Sequence, residues 1–310
     1  MWLELQIFGF RALWSPYFLA FVILVSLLYY LLTGPYRHVF GDVKKATFNE
    51  QALFYSGMFV LYVAQGSPVD LLAHIMMSAH MTQMALFYMV FPILAIRGIP
   101  IWLWEKIINI KGLKTVFKIA TIPLIALLVF NSLFALYHIP AVFDYSKSSQ
   151  IIHESIKVFL LITSFFMWWP VVTPIKRLEK LNPLLKMAYL IGSTVIISIA
   201  CALLIFSSNP MYAVYSSEGP WLQALSLCVP GDVLDGLAGT LSGADMFSPL
   251  NAVEDQQMGG IMMMIIQQII YGFVIAWIFF TWFSKKNLEN DPLPTEAEGF
   301  KKGLVQDERN

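Results

Sequence analysis

Charge is what this sequence has least of. Asp, Glu, Lys and Arg make up 13% of its 310 residues, against 58% apolar. That balance excludes an ordinary soluble domain and points to a chain with several membrane spans. Net charge is zero, so composition offers no attraction for nucleic acid, and no glycine-rich phosphate loop is present. Cysteine is scarce too. Cys201 and Cys228 form no C-x-C or C-x-x-C pair, which excludes a disulfide framework and a thiolate metal knuckle. The amino terminus lacks a basic region followed by a short apolar core and a small-residue cleavage site, so it is read as uncleaved. Lys and Arg are missing altogether from residues 208–257, a long segment rich in Gly and Ser that carries Glu218, Asp232, Asp235, Asp245, Glu254 and Asp255.

What is present is a series of apolar runs. They predict an all-α polytopic transmembrane bundle, one domain over 1–283, with spans at about 16–32, 51–67, 70–96, 119–140, 151–172, 187–207 and 258–283. Each is long enough, or nearly so, to cross ~30 Å of hydrocarbon at 1.5 Å per residue. Residues 1–15 are amphipathic, with Trp2 and Trp14 suited to a membrane interface. A surface helix is expected around 102–110, and the charged tail 284–310 is expected to be disordered.

Lys and Arg set the orientation. Arg37, Lys44 and Lys45 fall on one side, with Arg97, Lys106, Lys111, Lys114 and Lys118, then Lys176, Arg177, Lys180 and Lys186, and the basic tail. The other side holds Arg11 and Lys147, and Lys157 lies within a span. The positive-inside rule then places the amino terminus outside and the carboxyl terminus in the cytoplasm.

The stretch 70–84, DLLAHIMMSAHMTQM, holds His74 and His80 among Met76, Met77, Met81 and Met84. Imidazole is costly in hydrocarbon, and soft thioethers beside imidazoles suit copper(I). On the predicted topology His74, His138 and His153 reach a similar depth from three spans, near the outer face. Asp70, Glu154, Asp255 and Met258 lie at that level. On a continuous helix His80 falls ~15 Å below Asp70, near mid-membrane. His74 and His80 are then ~9 Å apart along the axis and ~120° apart around it, which separates an outer site from a deeper one with Met77 between. The plainer readings stay open: histidines at span ends also serve as interfacial or capping residues, and methionine at helical spacing is most often core filler. Lys157, one turn below His153, needs an acidic partner at its level or must reach the surface.

The chain resembles the CtaG family, assembly factors of caa(3)-type cytochrome c oxidase. The resemblance covers about 16–283. It rests on His80-Met81-Thr82-Gln83-Met84 followed by Phe91-Pro92 and Gly98-Ile99-Pro100, and on Tyr137-His138-Ile139-Pro140. It rests also on His153 with Trp168-Trp169-Pro170, and on Asp255-Gln256-Gln257-Met258-Gly259-Gly260. The resemblance implies a seven-span protein of the bacterial plasma membrane, not an enzyme, that is needed to form active oxidase. Oxidase subunits and other copper-delivery proteins are the implied partners, and copper is the implied cargo. Many members have histidine where this chain has Met84 and Lys157. Met84 keeps a soft ligand, whereas Lys157 does not. A haem-binding redox protein and a copper permease are the alternatives. The first needs axial histidines facing across a gap, and the second needs a ligand ladder that the third predicted span does not continue below Met84 except at Met89.

Overall fold

The computed structural model describes residues 2–237, 243 and 246–290. All regular structure among these is helical. The long helices are α1 (Pro16–Thr33), α2 (Phe48–Gly66), α3 (Pro68–Ile75), α4 (Met77–Gly98), α5 (Pro123–Tyr137), α6 (Gln150–Val172), α7 (Pro183–Phe206) and α8 (Ala252–Asn290). Five helices are long and apolar enough to cross a membrane: α4, α6, α7, α8, and α1 with the turns before it. Two bent pairs bring the number to seven if each counts as one span: α2 with α3, at 42°, and Leu113–Ala120 with α5, at 84°. Leu24, Leu203, Phe206, Phe273 and Phe280 point outward and are exposed, as expected of a surface facing lipid rather than water.

The largest departure from the expected spans lies at 51–96. The sequence suggests a boundary at Ser67–Pro68 and one helix over 70–96. Proline at the first helical position is compatible with a helix, because its missing N–H would be unpaired there anyway. Ser67 caps the new turn by accepting from the Val69 N–H, and the chain bends without reversing. The reversal comes at Met76, whose extended backbone (φ −140°, ψ 147°) separates α3 from α4. Asp70 and His74 therefore belong to the end of the second apolar run, not to the start of the third. Their neighbours show the antiparallel register. Gln83 Nε2 donates to Asp70 Oδ1 at 2.6 Å and to the Ala64 carbonyl at 2.8 Å. Further along, a Cβ on Gly98 would lie 2.5 Å from the Phe54 nitrogen. Hence Gly98 lets the two helical arms of the hairpin touch.

Proline also shapes α4. Pro92 cannot donate to the Tyr88 carbonyl, and the backbone there widens into a π-helical turn over Leu86–Val90. The released Tyr88 carbonyl accepts from Trp168 Nε1 at 3.1 Å, which ties α4 to α6. Pro100 frees the Ile96 carbonyl in the same way, and Trp104 Nε1 donates to it at 2.9 Å. In mid-bundle Ser193 Oγ lies 3.0 Å from both Asn131 Oδ1 and the Tyr271 hydroxyl, linking α7, α5 and α8.

The bundle has two unlike ends. One gathers the basic loops: Lys106 lies over Phe40, Arg177 pairs with Glu105, and Lys180 donates to the Lys118 and Thr121 carbonyls. The expected surface helix is there, at Ile101–Ile108. The other end is capped. The short helices Ala213–Ser216, Glu218–Leu225 and Gly231–Gly236 fold over it. Leu5, Phe8 and Leu13 from the amino-terminal turns share a buried cluster with Leu71, Ile75, Trp221 and Phe247. The amino terminus is thus part of the cap. At the other terminus α8 continues to Asn290 rather than ending at 283, and the tail from 291 lies outside the described residues.

Candidate functional site

Four imidazoles converge beneath the cap. His74, on α3, places Nδ1 2.8 Å from the Asp70 carbonyl. A carbonyl only accepts, so Nδ1 carries the proton and Nε2 keeps the lone pair. His138, just past α5, repeats the arrangement with Nδ1 2.7 Å from the Phe134 carbonyl. Neither Nε2 has a hydrogen-bond partner, nor does His153 Nδ1 on α6, nor does either nitrogen of His80 on α4. All four side chains are buried. The rings of His74 and His153 are 5.4 Å apart, and those of His80 and His138 are 5.9 Å apart. Phe143 lies 5.0 Å from His80 and 6.2 Å from His138. Buried polar atoms are normally paired. Here five buried imidazole nitrogens in one region have no partner.

The break at Met76 makes this convergence possible. It puts His80 about one turn from the start of α4, ~4.5 Å along the axis, not near mid-membrane as a continuous helix would have it. Met76 offers no side-chain cap to α4. Asp255 supplies it from α8, accepting from the Met77 N–H and the Ser78 hydroxyl at 2.5 Å each, and from the Ser78 N–H at 3.4 Å. Glycine lets α8 come this close, since a Cβ on Gly259 would lie 3.1 Å from the Met77 carbonyl. Asp255 is therefore a structural support of the site.

The other expected residues divide. Met77, Met81 and Met84 are buried in the main apolar cluster, where thioether packing accounts for them. Met258 does not join the histidines. The face of α8 turned to its neighbours is occupied by Gly259 and Gly260, leaving Met258 40% exposed. It lines a shallow groove with Met76 and Met262. Asp70 is engaged by Gln83 through its side chain and by His74 through its carbonyl. Lys157 finds the acidic partner it requires: Glu154, one turn away, at 2.9 Å. Among the described residues no three His, Cys, Asp or Glu side chains stand close enough to hold one ion. The arrangement is two imidazole pairs.

Sequence reasoning missed the cap's contribution. The Tyr212 hydroxyl donates to the His138 carbonyl at 2.7 Å, and the Tyr215 hydroxyl to the Ala73 carbonyl at 2.8 Å. Asp144 accepts from the Ala213 and Val214 N–H groups, fixing the helical turn that carries both tyrosines. Two aromatics three apart in a segment otherwise rich in Gly and Ser were the available signal. Lys147 was missed as well. It is buried, with its ammonium 5.7 Å from the Phe143 ring. Burial, then the like charge of Lys157, lowers its pKa to about 7, against the pull of Asp70, Cys228 and Glu154. The part-buried Cys228 belongs to the same surroundings, and burial pushes its thiol up, away from the thiolate that binds metals.

A family model described as cytochrome c oxidase caa3 assembly factor (CtaG) matches residues 27–285. The chain belongs to this family. No curated protein and no solved structure matches it. The match runs from within α1 into α8, and so includes all four buried histidines and Asp255. For CtaG the described role is assembly of an oxidase, which is not itself a catalytic role.

Proposed function

We propose that this CtaG protein helps form active caa3-type oxidase in a bacterial plasma membrane by holding copper(I) as cargo between the imidazole pairs and passing it to an oxidase subunit. The reading rests on the unpaired nitrogens of His74, His80, His138 and His153. Their neutral lone pairs, in an apolar enclosure with Phe143 and Tyr137, suit a soft monovalent ion better than a strongly hydrated one. Copper(I) accepts as few as two donors, so a pair is sufficient. Lys157 is neutralised by Glu154, which reduces its repulsion of a cation. On the positive-inside rule the basic end is cytoplasmic and the capped end faces outward. Oxidase subunits, and other copper-delivery proteins as donors, then meet the protein at the capped end.

The test is metal analysis of purified protein reconstituted with copper(I), with each of the four histidines replaced by alanine in turn. Loss of bound copper in the His80 and His138 variants, or in the His74 and His153 variants, is the expected result. Unchanged copper in all four overturns the proposal. A Soret band in the protein as purified replaces copper with haem.

A further inference from the structure

The second feature lies at the opposite, basic end and is independent of copper. A pocket of about 850 Å³ opens where the basic ends of α4, α6 and α8 meet the start of α7. Its lining includes Arg97, Lys176, Lys186 and Lys286, with Glu179 the acidic member. Glu179 is already paired with Lys186 at 2.5 Å, so Arg97, Lys176 and Lys286 stand as net positive charge around the opening. Two of them rest on indoles. The Arg97 guanidinium is 5.2 Å from the Trp277 ring, and the Lys286 ammonium is 5.6 Å from the Trp282 ring.

Cation, indole and membrane depth coincide here. Tryptophan is favoured at the level of lipid headgroups, and basic pockets between spans on the cytoplasmic side suit anionic headgroups. The apolar surface continues from the pocket along α8. Trp277 is half-exposed, and Phe273 and Phe280 are exposed beside it, giving acyl chains a surface next to the site. We infer that this pocket binds the phosphate headgroup of an anionic phospholipid, with Arg97, Lys176 and Lys286 around the phosphate and the acyl chains on the α8 face. The occupant anchors the carboxyl-terminal helix to the cytoplasmic leaflet.

The test uses the full chain in nonionic micelles carrying equal amounts of phosphatidylglycerol and phosphatidylcholine, with retained lipid counted by native mass spectrometry. Preferential retention of phosphatidylglycerol is expected. The double variant Arg97→Gln, Lys286→Gln should lower it roughly thirtyfold, two cations being removed, while phosphatidylcholine stays the same. If that variant does not fold, Lys176→Gln with Lys286→Gln, both at exposed positions, replaces it. Lys111→Gln, outside the pocket, should change nothing. Equal retention of the two lipids, or an equal loss in the Lys111 variant, overturns the inference. Displacement of phosphatidylglycerol by excess inorganic phosphate overturns the lipid source in favour of a soluble phosphate.

Discussion

Asp255 and Met77 are 178 residues apart in sequence, yet the carboxylate of one accepts the backbone N–H of the other at 2.5 Å. This contact starts α4 at the residue where the chain turns back, and so sets the depth of His80. Replacing Asp255 with alanine leaves the first N–H groups of α4 unpaired in a buried place. A loss of about 1–2 kcal/mol is expected, read as a lower unfolding midpoint in detergent. Asparagine, which keeps an accepting oxygen, should retain part of the stability. Equal loss in both variants would show that charge, not acceptance, is what matters.

The hairpin register is testable by cross-linking. With Cys201→Ser and Cys228→Ser as background, Gly57→Cys and Leu94→Cys should form an intramolecular disulfide, because a Cβ on Gly57 would lie 3.3 Å from the Leu94 Cβ. A reversal at Ser67–Pro68 instead would put these positions ~20 Å apart along the bundle, far beyond disulfide reach. Mass spectrometry of the oxidised protein distinguishes the two.

His80 separates stability from function. Both its ring nitrogens are buried without a partner, a cost of about 1–3 kcal/mol. His80→Leu, similar in volume, should leave the metal-free protein as stable or more stable while bound copper falls. A destabilised His80→Leu protein with normal copper content would assign His80 to packing.

Gly98→Ala should be poorly tolerated. The new Cβ would meet the Phe54 backbone nitrogen at 2.5 Å, and backbone cannot yield as a side chain can. Overpacking of this kind costs about 1–3 kcal/mol. Tyr29 donates to the Gly98 carbonyl at 2.8 Å, so α1 should loosen as well, which proteolysis between α1 and α2 would report.

Lys147 predicts a pH dependence with a definite sign. Its pKa falls to about 7 in the folded protein through burial first and Lys157 second, against about 10.4 when unfolded. Between these values the unfolded chain binds the extra proton. Stability therefore rises with pH from about 7 to 10, by at most about 1.4 kcal/mol per pH unit. Below 7 both states are charged and this contribution to the slope vanishes. Lys147→Met should flatten the rise in a thermal series measured across that window.

The sequence by itself determined the class and the ends. Low charge and long apolar runs leave no other way to bury so much hydrocarbon, and the clustering of Lys and Arg separates the basic loops from the capped end. It also brought His138 and His153 to one level, because each stands beside a helix terminus that proline or the apolar pattern marks. The family motifs were legible for the same reason: they are short and local. Only the tertiary structure decided where α3 stops. Nothing in the sequence around Met76 breaks a helix, since the apolar pattern runs through it without Gly or Pro. The reversal is stabilised by Asp255 and by the close approach at Gly259, both far along the chain. Tyr212, Tyr215 and Lys147 owe their place at the site to the folded cap. Periodicity reports what a segment can bury, whereas a helix end made by a distant carboxylate is set by packing, and the depth of His80 follows from that packing alone.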